Sequence, residues 1–270
     1  MLTNNILLAF GLTLLAGLST GIGGAISFFS KKLSPKFLSG SLGFSAGVMI
    51  YVSFVELFAN AQSTLSDYYN NHLGYLITMT AFFIGIATIA LIDWLVPSFE
   101  NPHEIKNINL DNPDQIINAK EKKLMRLGLF SALVLTIHNF PEGLVTFIGT
   151  LSEPVLGISL AVAIAIHNIP EGIIVSIPIY YACKNKTKAF LLSTLSGLTE
   201  PLGALLGYFI LRSVLNDLFL GVAFAGVAGI MVYISLDELL PTAEEYGQHH
   251  FAIGGLVIGM LIMALSLSIF

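Results

Sequence analysis

The sequence predicts an all-α integral membrane protein with eight spanning helices. Three observations predict it. Only 11% of the 270 residues are charged, 55% are hydrophobic, and the apolar residues gather into eight runs of the roughly 20 residues that a helix needs to cross a bilayer. A water-soluble domain carries about 25% charged residues, so a chain this poor in charge, with a mean hydropathy of +0.81, calls for lipid as its solvent. The runs cover 5–30, 37–60, 74–97, 124–149, 155–181, 188–212, 217–240 and 249–269, here helices 1 to 8, in a single membrane domain over residues 1–270. The start of helix 1 lacks the basic region and small-residue cleavage site of a secretory signal, so it reads as a retained span. A net charge of −5 leaves no footprint for nucleic acid. Cys183 is the only cysteine, which excludes an internal disulfide and a thiolate metal cluster. Most of the 25 glycines read as sites of close helix packing in lipid.

The distribution of Lys and Arg sets the expected orientation. Lys31, Lys32 and Lys36 follow helix 1. Lys106, Lys120, Lys122, Lys123 and Arg126 follow helix 3, and Lys184, Lys186 and Lys188 follow helix 5. Only Arg212 falls on the other side. Both termini are therefore expected outside a cell membrane, with 98–123 as a cytoplasmic loop. That loop holds a single histidine, His103, and is no His-rich metal tract. Asp93 and Trp94 read as an interfacial anchor.

The chain repeats itself. AGVMIYVSFVEL (46–57) in helix 2 matches AGIMVYISLDEL (228–239) in helix 7 at seven of twelve positions. LAGLSTGIGGAISFF (15–29) in helix 1 matches LSGLTEPLGALLGYF (195–209) in helix 6 more weakly, at nearly the same offset. HNFPEG (138–143) in helix 4 matches HNIPEG (167–172) in helix 5. The paired helices run in opposite directions under the predicted topology. Such inverted repeats, here helices 1–3 and 6–8, mark secondary transporters with a site near the midplane.

The candidate site lies in helices 4 to 6. Glu142, Glu171 and Glu200 are placed deep in spans, where insertion scales put about 2.5–3.5 kcal/mol on a central charge. A bound dication would offset their mutual repulsion. His138 and Glu142 are i and i+4 and share a helix face, and His167 and Glu171 repeat the arrangement. Imidazole and carboxylate suit Zn, Fe, Mn and similar ions. Asn139 and Asn168 sit one residue on, about 100° round each helix. A glutamate could bridge two adjacent ions, with the asparagines and Glu200 serving the second. Pro141 and Pro170 free the carbonyls of Ile137 and Ile166, and Pro201 suggests a third kinked helix. Glu56 and its repeat partner Glu238, beside Asp237, are expected toward opposite faces, as an outer access ligand and an inner release ligand. Glu244, Glu245, His249 and His250 read as a polar turn.

HNFPEG, HNIPEG and the LTEP of helix 6 resemble the ZIP (Zrt-, Irt-like protein) divalent metal transporters, over the whole chain. The compact size and the SAGVMIYVSFVEL segment look most like the bacterial branch of that family. The resemblance implies a 3+2+3 helix arrangement and a binuclear site at helices 4 and 5. It implies that His138, Glu142, His167 and Glu171 bind the first ion, and that Asn139, Glu142, Asn168, Glu171 and Glu200 surround the second. It also implies uptake of Zn2+, and of Fe2+, Mn2+ and Co2+, as substrates rather than cofactors. Family members differ at the helix 2 ligand, so Glu56 transfers less directly.

Two other classes compete: a metal-selective channel and an intramembrane metalloenzyme. HNFPEG is not the HExxH of a zinc protease, and its order reverses the Glu-x-x-His of di-iron carboxylate proteins, so no enzyme is expected. The partners expected are metal ions and the lipid bilayer. The oligomeric state is left open, a homodimer included.

Overall fold

The computed structural model describes residues 2–29, 35–95, 113–211, 216–245 and 249–268, and for some residues within helices, His138 among them, the backbone only. Lys31, Lys32, residues 98–112 with His103 and Lys106, and Arg212 lie outside the described residues. Those described form helices and no strands.

Eight helices among them are long and apolar enough to span a membrane. They are α1 (Leu2–Phe29), α2 (Pro35–Tyr68), α3 (Asn71–Leu95), α4 (Pro113–Ser152), α5 (Pro154–Cys183), α6 (Lys186–Phe209), α7 (Leu218–Glu244) and α8 (His249–Leu267). Their ends follow local chemistry. Pro154 opens α5 at the first helical position, where its missing N–H costs nothing. Asn185 and Asn216 cap the next two helices by accepting hydrogen bonds from the backbone N–H groups of Lys188 and Phe219, each at 2.9 Å. The sequence reading differs at α4, which begins at Pro113 rather than at 124. Residues 113–123 are too polar to count as a span, yet Pro at the first position and good helix formers such as Gln, Ala, Lys and Glu extend the helix beyond the apolar run.

The polarity of a water-soluble protein is reversed. Large apolar side chains such as Leu7, Phe83 and Trp94 are exposed, while Asn139, Glu142, His167, Asn168, Glu171 and Glu200 are buried.

The helices sort into two bundles. One is α1, α4, α5 and α6; the other is α2, α3, α7 and α8, joined to the first chiefly where α2 meets α5 and α4 meets α7. Within the second bundle α2 and α8 pack most closely. Each carries a Gly-x-x-x-Gly pair, Gly43 and Gly47 on α2 and Gly255 and Gly259 on α8. A Cβ on any of the four would fall onto a carbonyl oxygen of the other helix. Small residues at this spacing let helix backbones touch in lipid.

Both copies of the repeated segment depart from α geometry at the same place. Ser53–Phe58 in α2 and Ser235–Leu239 in α7 are π-helical. In each, the first serine turns its hydroxyl back to the carbonyl four residues earlier: Ser53 to Met49 at 2.6 Å and Ser235 to Met231 at 2.7 Å. The Met231 carbonyl also takes the Ser235 backbone N–H, so the hydroxyl is a second donor to it, a back-bond of the kind that bends helices.

Gly47→Leu would drive a side chain onto the Leu256 carbonyl. Overpacking of this kind costs about 1–3 kcal/mol, so the thermal midpoint of the solubilised protein should fall clearly below wild type. Gly11→Ala, whose Cβ meets open space, should leave it unchanged or raised. An unaltered midpoint in Gly47→Leu would contradict the close α2–α8 contact.

Candidate metal site

The site is built where α4, α5, α6 and α1 cross. α1 and α6 meet at Gly17 and Gly197, each of which would press a Cβ onto the other's carbonyl oxygen. The two motif helices dock against this crossing through matching contacts. Gly143 of HNFPEG admits the backbone of Glu200, and Gly172 of HNIPEG admits the backbone of Thr20. Gly203 meets the Phe140 carbonyl as Gly23 meets that of Ile169. Thr20 and Glu200, Gly23 and Gly203, and Gly17 and Gly197 are equivalent positions in the sequence repeat.

The asparagines follow the same rule. Asn139 Nδ2 donates to the Ser196 carbonyl at 3.2 Å, and Asn168 Nδ2 donates to the Ala16 carbonyl at 2.9 Å. Ala16 and Ser196 are again repeat equivalents. Asn168 Nδ2 also donates to Glu200 Oε1. Asn168 stands at the middle of α5.

α6 is broken beside the site. Leu198 separates Lys186–Gly197 from Thr199–Leu211, and Glu200 lies in the first turn of the second half. Pro201 has no N–H to offer the Gly197 carbonyl, and the Thr199 hydroxyl donates to the Ser196 carbonyl at 2.5 Å. A helix N-terminus is a site of partial positive charge, which favours the Glu200 carboxylate there.

His167 Nε2 sits 3.3 and 3.4 Å from the two carboxylate oxygens of Glu142, joining α5 to α4. Glu142, Glu171 and Glu200 are all buried. Asn139 Oδ1, Asn168 Oδ1 and Glu200 Oε2 are buried and accept no hydrogen bond among the described residues. All three are oxygens able to ligate a hard or borderline cation.

The His138 backbone is one turn before Glu142 on α4, but its side chain lies outside those described. Among the described residues no three side chains of the His, Cys, Asp and Glu types form a closed ligand set. What gathers is the Glu142–His167 pair, Glu171 one turn beyond His167, and Glu200 with Asn168.

Glu56 and Glu238 lie in the two π segments, away from this centre. Glu56 accepts from Asn60 Nδ2 at 3.0 Å. Glu238 is buried and accepts from the Ser131 hydroxyl at 3.1 Å, beside Asp237, Asp93 and Tyr233. Asp93 thus faces a cavity shared with Glu238, in addition to its position near the end of α3. The Ser39 hydroxyl donates to the Ala243 carbonyl, which puts the Glu238 end of α7 beside the start of α2, whereas Glu56 lies roughly 25 Å further along α2 at 1.5 Å per residue. His249 Nδ1 pairs with Glu244 at 2.8 Å on the surface; the Glu245 side chain lies outside those described.

Sequence reasoning did not single out Thr20 and Thr146. Both are buried, and their hydroxyl oxygens have no hydrogen-bond partner among the described residues. Thr146 is i+4 from Glu142 on the same face, a signal that was available in the spacing.

Residues 100–267 match the family model described as ZIP Zinc transporter. The fold and this match define a multi-pass membrane transporter, and the chain belongs to the ZIP family. Over its whole length the chain is similar to proteins named zinc transporter ZupT. It is 63% identical to that of Chlorobaculum parvum, 59% to that of Chlorobium chlorochromatii and 57% to that of Streptococcus mutans, covering 100% of each. ZIP proteins are transporters, so the chain is not an enzyme.

Asn168→Ala removes a buried donor from both the Ala16 carbonyl and Glu200. Leaving buried acceptors unmet costs about 1–3 kcal/mol, so thermal stability should fall. Glu200→Gln keeps an oxygen to accept from Asn168 but removes the charge. It should hold stability near wild type while weakening zinc binding by calorimetry; unchanged zinc binding would remove Glu200 from the site.

Proposed function

We propose that the chain takes up divalent transition metals, zinc foremost, into the cytoplasm through the α4–α6 site. His138, Asn139, Glu142, His167, Asn168, Glu171 and Glu200 are the ligands in this reading. Glu142 and Glu171 are shared between two adjacent ion positions, and Asn139, Asn168 and Glu200 complete the second. The observation that carries the proposal is the set of buried oxygens on Asn139, Asn168 and Glu200 without a donor among the described residues, beside two more buried carboxylates. Burying polar oxygens and charges without compensation is costly. A dication in transit supplies the positive charge that these oxygens call for. The relatives named as zinc transporters support zinc as the cargo. A donor set of nitrogen and oxygen without thiolate favours Fe2+, Mn2+ and Co2+ as further cargo.

The paired contacts of the two motif helices with α1 and α6 support an inverted repeat, helices 1–3 with 6–8, around a 4–5 centre. The lysines support outward termini. The end of α1 meets the start of α6 through Lys186 and the Phe28 carbonyl, which draws two of the lysine-bearing connections to one face of the molecule. Ions then approach past Glu56 and leave past Glu238. Two bundles with the site inside one of them favour a carrier that exposes the site alternately by moving one bundle against the other. An inside-negative potential of 100 mV favours inward movement of a dication by roughly 4.6 kcal/mol, twice the single-charge figure.

Uptake of 65Zn2+ into liposomes holding the purified protein tests the reading. Glu142→Ala and Glu171→Ala should abolish uptake and Lys184→Ala should not. Wild-type rates in the doubly substituted protein would overturn the site assignment. Saturation with counter-flow is expected; linear, unsaturated flux would mark a channel instead.

A further inference from the structure

A second feature lies on the lipid-facing surface, at the end of the molecule where α2 and α8 begin. A groove of about 560 Å3 runs between these helices. Phe37, Gly40 and Phe44 form one wall, Gly254 and Ile258 the other, and Pro170 of α5 lines the same groove. Lys36 and His250 stand at its mouth, and no acidic residue among those described lines it. The Lys36 ammonium lies 5.2 Å from the centre of the Phe251 ring, which holds it there. The nearest described carboxylate on the adjoining turn, Glu244, is engaged by His249.

Two glycines make the groove. Gly43, Gly47, Gly255 and Gly259 are needed for the α2–α8 contact, but Gly40 and Gly254 are not. A Cβ at Gly254 would meet nothing within 4 Å, and one at Gly40 would meet only the Phe251 carbonyl at 3.8 Å. These two positions keep space open instead of closing a helix contact. From Lys36 to Phe44 the groove descends about 12 Å at 1.5 Å per residue, most of the roughly 15 Å that is half of a bilayer's hydrocarbon thickness.

We infer that this groove binds one anionic phospholipid, its phosphate at Lys36 and His250 and an acyl chain laid over Gly40 and Gly254 toward Pro170. Basic pockets between helices at a membrane face take anionic headgroups, and the apolar floor below this one suits a hydrocarbon chain from the same leaflet. The chain touches α2 and α8 of one bundle and, at Pro170, the motif helix of the other. Occupancy therefore links lipid composition to the relation between the bundles. The inference rests on the spanning helices alone, and its failure would leave the metal site untouched.

Trp94 is the sole tryptophan, so a Trp94→Phe, Phe37→Trp protein reports on the groove by fluorescence. It is reconstituted in bilayers mixing phosphatidylcholine with phosphatidylglycerol, one or the other brominated at mid-chain, and quenching gives the relative affinity. Phosphatidylglycerol should be preferred by roughly fivefold, the equivalent of about 1 kcal/mol for one basic residue. Lys36→Gln should reduce the preference toward parity. Gly254→Leu, which fills the groove, should abolish it, with Gly40→Leu as a second filling variant if the first does not fold. Equal quenching by the two lipids in the parent protein, or a preference that survives both filling variants, overturns the proposal. So does absence of quenching accompanied by a doubled particle mass, which would mean a second copy of the chain occupies the groove.

Discussion

Buried carboxylates in a membrane-spanning bundle constrain everything else in this molecule. Glu142, Glu171 and Glu200 are all buried, and like charges in a medium of low polarity repel. Nothing in a bilayer core answers a charge, so the protein must hold polar atoms of its own there, and these need backbones to come close. The glycines of the two motifs meet this need, because side chains at Gly143 and Gly172 would push α6 and α1 away. The break at Leu198 meets it in another way. It turns a helix N-terminus toward Glu200 and leaves the Ser196 carbonyl for Asn139 and Thr199 to satisfy.

These solutions occur in pairs. Asn139 is to Ser196 as Asn168 is to Ala16, and Gly143 is to Glu200 as Gly172 is to Thr20. Outside the centre, the π segments and their serines repeat in α2 and α7. One set of local contacts therefore serves twice, and each half of the centre has its polar groups directed by the same short rule: the amide nitrogen goes to a carbonyl of the crossing helix, and the amide oxygen is left facing the interior.

Much of this was legible in the sequence. The spans followed from apolar run length, and the repeated AGxMxYxS segment and HNxPEG pair marked the places that the structure makes special. The π geometry was not legible, because these segments are apolar almost all round and offer no distinct face whose rotation would mark an inserted residue. The early start of α4 at Pro113 was missed because residues 113–123 owe their helix to propensity rather than to an apolar face. Thr20 and Thr146 were passed over because an isolated threonine in a span usually bonds to its own backbone, as Thr13, Thr78 and Thr136 do here. Pro201 pointed to the irregularity in α6, but the bond from Asn139 to the Ser196 carbonyl could not be read, since it depends on how α4 packs against α6. The carbonyl bonds of the asparagines' amide nitrogens were not foreseen, and they leave the amide oxygens without a partner among the described residues.

One departure from the pairing has an arithmetic consequence. Thr20 stands where its counterpart is Glu200, so the centre holds an odd number of acids. Doubly charged ions come in even charge, and no whole number of them balances three carboxylates. One leaves the centre at minus one and two leave it at plus one. Neutrality with a single ion needs one further positive unit, and a proton on one of the acids is the smallest carrier of it. A half-site duplicated without that substitution would have had even parity and no such remainder.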